Sequence, residues 1–173
     1  PSLTSSQITT AKNVVTQEGN LDDKTFFYLS QSGCRVHKHF ILSDIKTSAD
    51  AYWITPFCKV ANDYKNKVTD QTTIANDAGR YQLRMMFAMN YFEKEEFKKV
   101  TYEITQGTKA IHPISIKFTP LQTDDQFGLF ASIMWYKIGV VMEFNASDID
   151  ENADLKVMAK GNGTEAVVFK LHN

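Results

Sequence analysis

The sequence predicts one mainly β, α+β domain: an antiparallel β-sandwich or barrel of about eight or nine strands, with two helices in the N-terminal half. Three observations carry this. From Arg80 onward the apolar residues recur with period two. Turn residues punctuate that region at about ten-residue spacing. Helical spacing is confined to two stretches that end before Thr69. A doubly wound sheet needs strands alternating with helices, and the second half does not show them.

Residues 5–18 predict the first helix. Ser5 or Ser6 caps it, Ile8, Ala11, Val14 and Val15 form a short apolar face, and Gly19 supplies the stop. Thr25-Phe26-Phe27-Tyr28-Leu29 reads as a strand, and a second covers about Cys34 to Leu42. The next helix has the strongest signals. Thr55 caps it, Pro56 fits its first turn, and Phe57, Val60, Ala61, Tyr64 and Val68 share one face. Lys59, Asn62, Asp63 and Lys65 are expected to face away, and Ser48–Trp53 to add a helical turn in front.

Tyr81, Leu83, Met85, Phe87, Met89 and Tyr91 then alternate with Arg80, Gln82, Arg84, Met86, Ala88 and Asn90. That is a long strand with one apolar face. A charged turn, Glu93–Glu96, follows. Val100, Tyr102 and Ile104 form the next alternating set, and Gln106-Gly107 turns the chain. Ile114, Ile116 and Phe118 alternate next, and Pro120 ends them. Residues 127–136 fit a strand or a buried helix, with aromatic content and Gly128 favouring strand. Residues 138–144 read as a strand with Gly139 as a bulge. Leu155–Lys160 and Glu165–Leu171 flank Gly161-Asn162-Gly163-Thr164, a hairpin turn.

The chain has 173 residues, an ordinary single-domain length of about 100–200. No linker, repeat or low-complexity tract divides it, so residues 1–173 are read as one domain. Hydrophobic residues make up 43% and charged residues 23%, which excludes the polar, highly charged composition of a disordered chain. The net charge of −1, without a basic tail, argues against a nucleic-acid partner. Phe127 to Phe144 is the least charged stretch, but Lys137 and Glu143 interrupt it. A bilayer span needs about 20 apolar residues, so this stretch is expected in the core. Association with a membrane surface stays open. The opening Pro1–Ser6 has neither a charged nor an apolar leader region, so no signal peptide is predicted. An intracellular or virion setting is expected. Cys34 and Cys58 are the two cysteines. Free buried thiols are expected, with one bridge as the alternative.

No catalytic residue, cofactor site or metal site is assigned. No Gly-x-Ser-x-Gly elbow, phosphate loop or dinucleotide fingerprint occurs. His37, His39, His112 and His172 leave room for a site assembled in three dimensions. His37 and His39 lie two apart, so on a strand they face one side and reach one ion. Arg35 shares that side and repels a cation, and a third ligand, His112 or a carboxylate, must come from elsewhere; a polar strand face is expected. Asp148, Asp150, Asn152 and Asp154 match the opening of a calcium loop. Ala153 stands where that loop needs Gly, and Ala159 where it needs a closing Glu, so a solvated acidic turn is expected. Asn145-Ala-Ser147 and Asn162-Gly-Thr164 match glycosylation spacing, and are read as turn residues.

By elimination, the expected function is a non-enzymatic, self-assembling structural or interaction protein. Its expected partners are further copies of the chain in a homo-oligomer, or another protein. Apolar residues on the second strand faces, such as Met86, Phe92 and Phe130, suggest surfaces to be covered. Small viral coat or matrix proteins share this size and β content, an analogy of type. Residues 1–20 carry only Lys12 and Glu18 as charges, not the basic arm of a packaging protein. The competing expectations are a β-barrel or β-sandwich binding module for a small ligand or partner protein, and an enzyme whose site is invisible in sequence.

Overall fold

The computed structural model describes residues 2–17, 35–42, 47–90, 100–119, 122–123, 135–160 and 164–171. The architecture is a mainly β antiparallel sandwich with a helical layer on one side. The sheets do not close into a barrel.

Helix α1 spans Ser5–Gln17. Thr4, rather than Ser5 or Ser6, caps it. The Gln7 backbone N–H donates to Thr4 Oγ1 at 3.3 Å, and the Thr4 N–H donates to Gln7 Oε1 at 2.9 Å. This is a reciprocal capping box, which needs Gln or Glu three residues after the cap; only Thr4 has one. Strand β1 (Arg35–Leu42) pairs antiparallel with β2 (Thr47–Ile54). The helical turn expected at Ser48–Trp53 is therefore a strand. Ala49, Ala51 and Trp53 point into the core, a period of two that pairing on both sides enforces over alanine's helical preference. Helix α2 (Pro56–Lys65) is capped by Thr55, whose Oγ1 accepts from the Cys58 N–H at 3.4 Å. A third helix, α3 (Gln71–Asp77), was not anticipated. Asp70 caps it by accepting from the Thr72 and Thr73 N–H groups, each at 3.1 Å. Ile74 is its one buried residue, so it carries no readable apolar period.

Strand β3 (Arg80–Asn90) is the expected long strand. Then follow β4 (Thr101–Gln106), β5 (Lys109–Ala110), β6 (Ser115–Phe118), β7 (Gln122–Thr123), β8 (Trp135–Asn145), β9 (Leu155–Lys160) and β10 (Thr164–Phe169). Gly107 takes φ +57° in the β4–β5 turn, where glycine avoids the Cβ penalty. The expected features at 25–29, 93–96 and 127–134, and the turn residues 161–163, lie outside the described residues. Antiparallel pairing of β9 with β10, Lys160 opposite Thr164, agrees with the C-terminal hairpin.

Among the described residues, one sheet has the order β1-β2-β3-β8-β6, with β7 also on β8. The other has the order β10-β9-β4-β5. The two share one core. Trp53, Leu83, Met85, Phe87, Val140, Met142 and Phe144 of the first sheet meet Ile104, Leu155, Val157 and Phe169 of the second. A separate apolar cluster, including Ala11, Val60, Ala61 and Ile74, holds α1, α2 and α3 together, with Ile54 of β2 packed against it. The helices thus cover part of the first sheet's other face. Gly139 is not a bulge, because it pairs in unbroken register with Met86. A Cβ there would collide with Thr119 Oγ1, which accepts the Gly139 N–H at 2.7 Å.

Candidate functional site

Strand β8 has β3 on one side and β6 on the other. Its inward row, Ile138, Val140, Met142 and Phe144, is buried. Pairing places Ile116 beside Met142 and Phe118 beside Val140, so both continue that row. Yet Ile116 is 48% exposed and Phe118 62%. Among the described residues the second sheet ends at the two-residue strand β5, and its strands do not extend over β6. A cavity of about 430 Å³ lies where the sheets part, lined mainly by Val100, Tyr102, Ile104, Ile111, Ile116 and Met142. The Ile111 N–H donates to the Ile104 carbonyl at 2.8 Å and holds the segment after β5 against β4. The Thr119 N–H donates to the Gly139 carbonyl at 2.8 Å, and with the Thr119 side chain this latches the end of β6. The Tyr102 ring packs against Phe87, centroids 6.4 Å apart. Its hydroxyl is buried without a partner, and burial pushes its pKa up.

A second cluster lies between α2, α3 and the first sheet. Lys59 and Asp63, expected to face solvent, are only 7% and 8% exposed. Lys59 Nζ donates to Asp77 Oδ1 at 2.7 Å and to Glu143 Oε1 at 3.0 Å. Arg80 Nη1 reaches Glu143 Oε2 at 3.3 Å. Burial, then the charge and hydrogen bond of Asp77, push Asp63 up to about 6, against the pull of Lys59. Asp63 Oδ2 is buried without a partner. Burial works upward on Glu143 too, but Lys59, Arg80 and Lys117 outweigh it and hold Glu143 below its ordinary value. Asn62, Gln82 and Arg84 join these residues around a polar cleft of about 170 Å³. Perturbed carboxyls in a cleft mark functional sites and structural ion networks alike. Here a buried lysine with two carboxylates satisfied on it fits the structural role. The signal missed in the sequence is the opposite charge at Lys59 and Asp63, four apart on one helical row, with Glu143 set among the apolar residues 138–144 of β8.

His37 and His39 do share a strand face, and both reach one oxygen of Asp50, His37 Nε2 at 2.8 Å and His39 Nδ1 at 3.1 Å. The His37 ring stacks on Tyr52 at 4.7 Å. Burial raises the Asp50 pKa, but the hydrogen bonds and charges of the two histidines outweigh it and lower the value. His112 lines the edge cavity and does not join this pair. Among the described residues no three of His, Cys, Asp and Glu are arranged to hold a metal ion.

The acidic turn is tied down by its own chain. Gln106 is buried and donates to the Asp150 and Ala153 carbonyls at 2.7 and 3.1 Å, while its Oε1 accepts the Asp150 N–H at 2.9 Å. Tyr81 donates to Glu151. Asp150 Oδ1 accepts the Asn152 N–H at 2.9 Å. Asn145 donates to Asp148 Oδ2 at 3.3 Å. The expectation of free thiols is corrected at Cys58, which is disulfide-bonded. Cys34, the other cysteine, lies outside the described residues. No described helix is long and apolar enough to cross a membrane.

Compared with known proteins, the chain matches no family model and no curated protein.

Proposed function

We propose that the chain is a non-enzymatic interaction protein that self-associates through the open edge of its sandwich. The observation that supports this is the exposed row of Ile116 and Phe118 on the edge strand β6, with exposed Ile114 just before it. Grouped exposed apolar side chains of this size mark interaction surfaces more often than scattered ones do. The row belongs to the same alternation that builds the core, so a second copy covering it continues the packing the first copy leaves unfinished. Edge strands left open invite indefinite pairing, and short length and lysines restrain it. Strand β6 has four residues and carries Lys117. The contact is therefore side-chain packing across a closed, two-fold interface rather than an open filament.

The other motive for assembly, apolar residues on the second strand faces, loses weight. Helices α1, α2 and α3 cover part of that face, and Met86 is already half-buried beside Gly139. The coat- or matrix-type reading rests on the analogy of size and β content alone.

Light scattering from micromolar to millimolar concentration tests the proposal. A concentration-dependent oligomer is expected, burying at least about 1,000 Å². Ile114→Glu, placed just before the exposed row, is expected to return it to monomer. A chain that stays monomeric throughout overturns self-association.

A further inference from the structure

We infer that the cavity at the open edge is a binding site for one small, neutral, apolar molecule. The cavity's volume of about 430 Å³ falls in the range of small-molecule sites, roughly 300–1,000 Å³. Protein interiors seldom leave voids larger than a water molecule. The pocket opens to solvent on one side and its lining is mainly apolar, with Thr101, Glu103 and His112 as polar members, the make-up of a small-molecule site. Val100, Ile104, Ile111 and Met142 are buried; strand pairing sets Ile104 and Met142, and the Ile111 N–H holds its residue to the Ile104 carbonyl, so the inner wall is preformed. Ile116, half-exposed, marks the mouth.

Charge decides the class of guest. Glu103 is the one fixed charge among the described lining residues, and Lys160 already pairs with it. No unpaired charge is offered to an ion. The Tyr102 hydroxyl is closed off from solvent, so Tyr102 presents its ring. A fused-ring or short-chain hydrocarbon skeleton fits this lining, and a polar or charged metabolite does not.

Ile116 and Phe118 belong both to this lining and to the exposed row proposed for self-association, and the test separates the two. The 173-residue chain is titrated with N-phenyl-1-naphthylamine, a neutral fluorophore, and oligomer size is followed in parallel. Saturable enhancement with one probe per chain is expected. Ile116→Trp adds aromatic bulk on the inner row at a half-exposed position. It is expected to weaken the probe by about tenfold or more, with the thermal midpoint reporting that the fold is retained. Ile114→Glu lies outside the cavity lining and is expected to disperse oligomers while leaving probe affinity within about twofold. Crystals of the unaltered chain under xenon give an independent reading, with density expected beside Met142. The inference is overturned by any of three results: no saturable enhancement, undiminished binding to a folded Ile116→Trp, or probe binding lost in step with the oligomer in Ile114→Glu. Absence of xenon from the cavity overturns it as well.

Discussion

The inward rows of β3 and β6 belong to the same sheet, two strands apart, and follow the same rule of alternation. Their surroundings are opposite. Leu83 and Met85 of β3 are wholly buried under the second sheet, whereas Ile116 and Phe118 of β6 are exposed beyond the last of its described strands. Alternation assigns a residue to a face of a strand. It does not say whether anything lies over that face. An apolar row without cover is a packing surface left open, and that difference makes the β6 edge the candidate site.

The largest expected effect tests the covered row. Leu83→Ala removes a wholly buried side chain and is expected to cost about 2–5 kcal/mol by cavity formation. Chemical denaturation checks it, and an unchanged midpoint would remove β3 from the core.

The latch between the regions comes next. Gly139→Val puts a branched side chain against Thr119 and Met86, and overpacking of this kind costs about 1–3 kcal/mol. It also displaces the Thr119 hydroxyl from the Gly139 N–H. Hydrogen exchange at Thr119 and along β6 is expected to speed up more than exchange in β9. Uniform change across both sheets would mean that Thr119 is no latch.

The third expectation concerns the sheet's other side, where buried charge replaces buried hydrocarbon. Asp63 ionises near 3.8 in the unfolded chain and at about 6 in the folded one. Between those values the folded state holds more protons, so this carboxyl's contribution is full below 3.8 and is lost as pH rises through 6. Asp63→Asn removes that loss. It is expected to stabilise the domain by about 1–2 kcal/mol above pH 6 and to change little near pH 4. Glu143 works in the opposite direction, because its lowered pKa contributes stability that disappears as pH falls. Thermal midpoints from pH 4 to 8 check the sign. A variant less stable than the parent at pH 7.5 would show that the Asp63 carboxylate is held by a partner.

The smallest effect sharpens the opening contrast. Ile116→Ala removes a similar hydrocarbon volume to Leu83→Ala but from a half-exposed position, so its cost is expected to stay below about 1 kcal/mol. A loss as large as that of Leu83→Ala would place β6 inside a closed core.

Much of the fold was legible because it rests on local periodicity. The Thr55-Pro56 helix start, the β3 alternation and the pairing of Leu155–Lys160 with the strand after it all read directly from residue order. Readings failed where tertiary partners outvoted local preference. Ser48–Trp53 became a strand because β1 and β3 pair with it on both sides. Lys59 and Asp63 turned inward because Asp77 and Glu143 met them across elements distant in sequence. The Thr4 cap is itself a local signature, carried by Gln7 three places on.

By itself, the order of residues determined that the chain is mainly β, that its strands are antiparallel, and which side chains share a strand face. Those properties follow from sterics and from a side-chain period fixed within a few residues. Only the tertiary structure decided between sandwich and barrel, which apolar row stays uncovered, and which charges are buried together. Each depends on where one sheet ends over another, and that extent is set by long-range packing that no local pattern records.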